Sequence, residues 1–170
     1  MDIKVRLEAE HSKSLTTAIV NYIGGDKPRF KVLMQLFLQG EYRLMQRAAW
    51  PLSYVCRAHP QLVKPYIAKL IQKLGEPGHH PAITRNILRI FQDLDIPEKD
   101  QAVFLDICFK FIRGAAFPAA IRAFAITCAS GICKQYPELK QELLLVLKEL
   151  EAHPQPPAIR QRIKLARKEL

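Results

Sequence analysis

Pro118-Ala119-Ala120-Ile121-Arg122-Ala123-Phe124-Ala125 is the stretch whose reading decides the fold. A proline, small residues, a branched hydrophobe and an arginine follow in that order. The order returns upstream as Pro81-Ala82-Ile83-Thr84-Arg85 and downstream as Pro156-Pro157-Ala158-Ile159-Arg160. Gln46-Arg47-Ala48 extends the series toward the N-terminus, so Arg47, Arg85, Arg122 and Arg160 stand 38, 37 and 38 residues apart. A period of roughly 35–45 residues in a helix-rich chain marks stacked helix pairs rather than one closed core. A second echo runs in phase with the first. Val55-Cys56-Arg57-Ala58-His59-Pro60-Gln61-Leu62 reappears two periods later as Ile132-Cys133-Lys134-Gln135-Tyr136-Pro137-Glu138-Leu139.

Prolines and glycines supply the helix boundaries, because proline suits a first helical turn and glycine the residue past the last. They predict nine helices. The first covers Ser12 to Ile23. The second opens at Pro28 and stops before Gly40. The third covers Glu41 to Ala58, and the fourth opens at Pro60 and ends before Gly75. The fifth opens at Pro81 and fades at Asp95. The sixth opens at Pro97, with Glu98 and Asp100 favourably placed in its first turn. The last three open at Pro118, at Pro137 and at Pro156 or Pro157. Leu62, Tyr66, Leu70 and Leu74 form a helical stripe in the fourth, as do Val103, Phe104, Ile107, Phe111 and Ile112 in the sixth. The small apolar run Ala119–Ile132 and the block Leu143–Leu147 both predict heavily buried helices.

Composition sets limits on function. Of 170 residues, 49% are apolar and 25% charged, the balance of a folded globular chain. The charged start Met1–Glu8 predicts no signal peptide, and no apolar run is long enough to span a bilayer, so a cytoplasmic protein without membrane insertion is expected. Cys56, Cys108, Cys128 and Cys133 form no Cys-x-x-Cys pair and read as buried small hydrophobes. The net charge is +10. Residues 1–40 contribute +2, 41–80 +4, 81–120 zero and 121–170 +4. Such a surplus favours acidic partners.

Pairing second with third helix, fourth with fifth, sixth with seventh and eighth with ninth gives four repeats, about 28–58, 60–95, 97–135 and 137–170. Residues 1–27 precede them as a capping helix, and the whole is expected to be a single domain. Here the chain resembles the HEAT and armadillo-type helical repeats. The second helix of such a repeat carries a hydrophobe–arginine pair followed by alanine, which Ile121-Arg122-Ala123 matches and Ile159-Arg160 and Gln46-Arg47-Ala48 approach. The resemblance implies an all-α, right-handed α–α superhelix whose second helices line the concave face. It also implies an aspartate a few residues before each arginine. Here those places hold Glu41, His79, Ala116 and Pro154, so three of the four lack the acid.

The candidate binding face is Arg43, Arg47, Arg85, Arg89, Arg122, Arg160 and Lys164. Within it, Arg43 and Arg47, Arg85 and Arg89, and Arg160 and Lys164 stand four apart, which places each pair on one helix face. Trp50 reads as core. His79-His80 reads as an interhelical linker without enough ligands for a metal. No phosphate loop, catalytic triad or carboxylate pair is present, and no cofactor is expected. The leading expectation is a non-enzymatic scaffold that recognises another protein. The alternative is nucleic-acid binding through a basic concave face, and an enzyme such as a HEAT-like DNA glycosylase or a lyase comes third.

Overall fold

The computed structural model describes all residues, 1–170. Every regular element is helical. Two compact units divide the chain, Met1–Leu94 and Asp95–Leu170.

The first unit holds α1 (Ile3–Ala9), α2 (Lys13–Ile23), α3 (Lys27–Gln39), α4 (Tyr42–Ala58), α5 (Pro60–Val63), a 3₁₀ turn at Lys64–Tyr66, α6 (Ile67–Gly75) and α7 (Pro81–Phe91). Short polar side chains start the first three helices. Asp2, Ser12 and Asp26 accept the backbone N–H groups of Val5, Leu15 and Arg29 at 3.1, 3.0 and 2.8 Å. Each satisfies a donor that the helix itself leaves unpaired. α4 packs against α2, α3 and α7 and so forms the spine of this unit. The core beneath it is Ile19, Ile23, Phe30, Leu33, Phe37, Leu52, Ile83 and Ile87, all closed to solvent.

The second unit holds α8 (Glu98–Arg113), α9 (Ala119–Cys133), α10 (Pro137–Glu151) and α11 (Pro157–Glu169). Here α9 is the spine, packed on α8, α10 and α11. Ten of its fifteen residues are buried, as its small apolar composition predicts.

Three local expectations differ from the structure. The helix expected from Pro60 to Gly75 is interrupted, because Pro65 has no N–H to continue the ladder and the backbone tightens into the 3₁₀ turn. The block Leu143–Leu147 buries only Leu143, Val146 and Leu147, while Leu145 is 61% exposed. Five consecutive residues span more than a full turn, so one of them must face away from the core. Val103, expected in the stripe of its helix, also faces outward. The buried face of that helix is centred on Cys108, from which Val103 lies about 140° around the axis at ~100° per residue. The structure also adds a helix, α1, ahead of the expected N-terminal one. It buries Ile3 and Leu7 against its neighbours.

All four cysteines are buried free thiols, as expected. Burial pushes the Cys56 thiol well up, and raises Cys133 to about 11 with a further push from Glu142. Burial raises Cys108 as well, helped by its contact with Cys128.

Candidate functional site

α4 sets the geometry of the site in the first unit. Arg43, Arg47, Trp50, Tyr54 and Arg57 recur at i, i+4, i+7, i+11 and i+14, so they share one face of that helix. α7 runs alongside, and three contacts join the two in matching order. The Tyr42 and His80 rings meet edge to face at 5.8 Å. The Arg89 guanidinium sits 5.2 Å from the Tyr54 ring centroid. Arg57 Nε lies 3.3 Å from an Asp93 carboxylate oxygen. Rising numbers on α4 meet rising numbers on α7, so the helices are parallel. Parallel second helices are what stacked helix pairs produce.

Trp50, expected in the core, is only half-buried. Its ring packs against His11 at 5.5 Å between centroids. Its indole N–H is within reach of the Tyr54 hydroxyl. That contact, then Arg89, then the charge of Lys13, hold the Tyr54 phenol below its usual pKa, against a small opposing effect of burial. Each of these groups favours negative charge on the phenol oxygen. The sequence carried a signal for this cluster, the helical spacing from Arg43 through Trp50 to Tyr54. Taking Trp50 as core obscured it.

The four repeating arginines have different fates. Arg47 donates from Nη1 to the carbonyls of Leu7 and Glu8, at 2.7 and 2.8 Å. Arg122, 7% exposed, donates from Nε to the Ile112 carbonyl at 3.2 Å. Both therefore close the C-terminal end of another helix, α1 or α8, where carbonyls lack helical donors and the helix dipole is negative. Burial lowers the pKa of Arg122. Arg85 and Arg160 are exposed and have neither a carboxylate nor a carbonyl partner. None of the four rungs has a carboxylate partner, so each either finds a carbonyl or stays free. Glu41, the one acid at such a place, pairs with none of them.

The remaining candidates divide by unit. Arg43 is exposed and, with Arg47, borders an open cleft of about 700 Å³ between α1, α3 and α4. Leu7, Val32, Leu36 and Leu44 give this cleft an apolar floor. Within the first unit the structure thus brings Arg43 and Arg47 to one cleft, and sets Arg85 and Arg89 on one face of α7. In the second unit Arg160 and Lys164 lie exposed, one turn apart on α11. Arg122 is held inside that unit and does not join them.

A family model described as a HEAT repeat domain matches residues 3–170. The chain belongs to the HEAT repeat family. No curated protein and no solved structure matches it. Membership accounts for the architecture: a HEAT-like helical solenoid with paired helices, the second of each pair carrying the recurrent arginine. It defines a helical-repeat scaffold and names no ligand. No group of three or more histidine, cysteine or acidic side chains could hold a metal ion. No helix is long and apolar enough to cross a membrane.

Proposed function

We propose that this HEAT repeat protein is a non-enzymatic, cytoplasmic scaffold that recognises an acid-rich region of another protein. The observation that carries this reading is unspent positive charge. Residues 1–94 hold 14 basic and 7 acidic side chains. Four of those acids, Glu8, Asp26, Glu76 and Asp93, are already paired with Lys4, Arg29, Lys73 and Arg57. The cations left over have no carboxylate partner within the chain, although Arg47 is bonded to two carbonyls, and they favour an acidic partner.

A polyanion such as nucleic acid is the second reading. What favours it is the exposure of Tyr42 and Tyr54, at 54% and 41%, beside arginines, since bases stack on such rings. Against it stands the use of Arg47 and Arg122 as helix-end donors, which removes two members of the expected basic row.

Binding at several salt concentrations tests the choice. The scaffold reading expects saturable binding of poly-L-glutamate and none of comparable strength to duplex DNA or to a thymidine oligonucleotide. Tight DNA binding would replace it, if affinity falls with salt at a slope near −0.9 per phosphate neutralised.

A further inference from the structure

We propose that the seam between α4 and α7, centred on Trp50, Tyr54 and Arg89, is where an acidic polypeptide segment docks. This rests on the scaffold reading above and locates it. Trp, Tyr and Arg are the side chains that most often dominate protein interfaces, because they combine large apolar area with a directed polar group. Here all three meet on one seam, Tyr54 exposed and Trp50 and Arg89 half-buried, with the exposed cations Lys13 and Arg85 nearby, which have no ion-pair partner.

Dimensions and charge fit one kind of occupant. From Tyr42 to Arg57 the α4 face is about 22 Å long at 1.5 Å per residue. An extended peptide of about six or seven residues covers that length at roughly 3.3 Å each. Along α4 the adjacent rings of Trp50 and Tyr54 lie between Arg43 and Arg47 on one side and Arg57 on the other, which suits a segment with an apolar centre flanked by acids. Acids stand at both ends, Glu41 just ahead of α4 and Asp93 paired with Arg57. They bound the positive run, which a phosphodiester strand, charged at every nucleotide, would overrun. Arg89 is held only by a ring and a phenol, so a carboxylate can recruit it without breaking an ion pair.

Trp50 is the only tryptophan, so its emission reports directly on the seam. The experiment titrates the full chain with poly-L-glutamate at low salt and follows both Trp50 fluorescence and total binding. In parallel it uses a thymidine oligonucleotide of about 20 nucleotides. Arg85→Ala and Arg89→Ala are compared with Lys69→Ala, an exposed cation on α6, after circular dichroism shows all three folded. The expected result is a saturable change in Trp50 emission with poly-L-glutamate. Affinity should fall about fivefold or more in each arginine variant, and less than about twofold in Lys69→Ala. Binding that leaves Trp50 unchanged, with equal losses in all three variants, overturns the seam and leaves the scaffold. No binding of poly-L-glutamate by the unmodified protein overturns both. Quenching by the oligonucleotide alone overturns the choice of polypeptide and assigns the seam to nucleic acid.

Discussion

Replacing Arg122 tests whether a repeating cation serves the fold or the surface. Its side chain is nearly closed to solvent, and its Nε bonds the Ile112 carbonyl in the last turn of α8. Arg122→Ala removes two buried stem methylenes, Cγ and Cδ, worth about 1.6 kcal/mol at ~0.8 each. It also removes a charge-assisted hydrogen bond, worth about 1.5–3 kcal/mol, and leaves that carbonyl without a donor. Releasing a buried charge from desolvation returns part of this loss. The expected net cost is about 2–4 kcal/mol. Arg122→Met keeps the apolar stem and loses the charge and its hydrogen bond, so it should cost about 1–2 kcal/mol. Arg160→Ala, at the same repeat position but exposed, should fall within about 0.5 kcal/mol of the parent. Urea unfolding followed by circular dichroism measures all three, read as midpoint shifts at constant slope. Equal effects for Arg122→Ala and Arg160→Ala would refute the division of the rungs.

Other consequences are accessible to simple measurements. Arg47→Ala should loosen α1, since seven residues do not sustain a helix alone; hydrogen exchange at Arg6 and Glu10 should speed up while α4 stays protected. Gly131→Ala should stabilise by about 0.5–1 kcal/mol, because the site is helical and a Cβ there meets nothing within 4 Å. Gly78→Ala should destabilise by about 1 kcal/mol, since its φ of +83° suits glycine although the space is open. The thiols of Cys56, Cys108 and Cys133 are all raised by burial, so their contribution is complete below the unfolded thiol value of about 8.5 and is lost as pH climbs through the folded values. Unfolding midpoints should therefore decline above about pH 9, and a native thiol reagent near pH 8 should label Cys56 and Cys133 only as fast as the chain opens.

The period of the arginines and the proline punctuation made the helix pairing legible, because both are one-dimensional signals. What they missed was local or three-dimensional. Asp2 is a good helix start, but α1 is only seven residues long and its amphipathic signal rests on Ile3 and Leu7. Pro65 was read through because the stripe Leu62–Leu74 continued past it, yet the missing N–H still forced the 3₁₀ turn. The sequence around Trp50 suggests a core position, because it is a lone tryptophan with Tyr54 rather than an acid one turn later. Its position depends on His11 and on Tyr54, and the His11 contact comes from a part of the chain that no helical period connects to it.

The arginine period specifies position more strictly than role. Equal phase delivers Arg47, Arg85, Arg122 and Arg160 to comparable places on second helices. What each does is then decided by whether an uncapped helix end lies within reach. Where α1 or α8 presents bare carbonyls, the guanidinium is taken up at 2.7–3.2 Å and becomes part of the fold. Where none does, as at Arg85, the charge remains on the surface beside Arg89. Without aspartate partners, a cation is therefore left on the surface only at some rungs. Restoring an acid tests this directly: His79→Asp places one at the family's usual position ahead of Arg85. If free charge at Arg85 contributes to docking, the variant should weaken poly-L-glutamate binding about as much as Arg85→Ala does, while leaving Trp50 emission of the unbound protein unchanged. Binding as tight as the parent's in both His79→Asp and Arg85→Ala would show that Arg85 has no part in recognition.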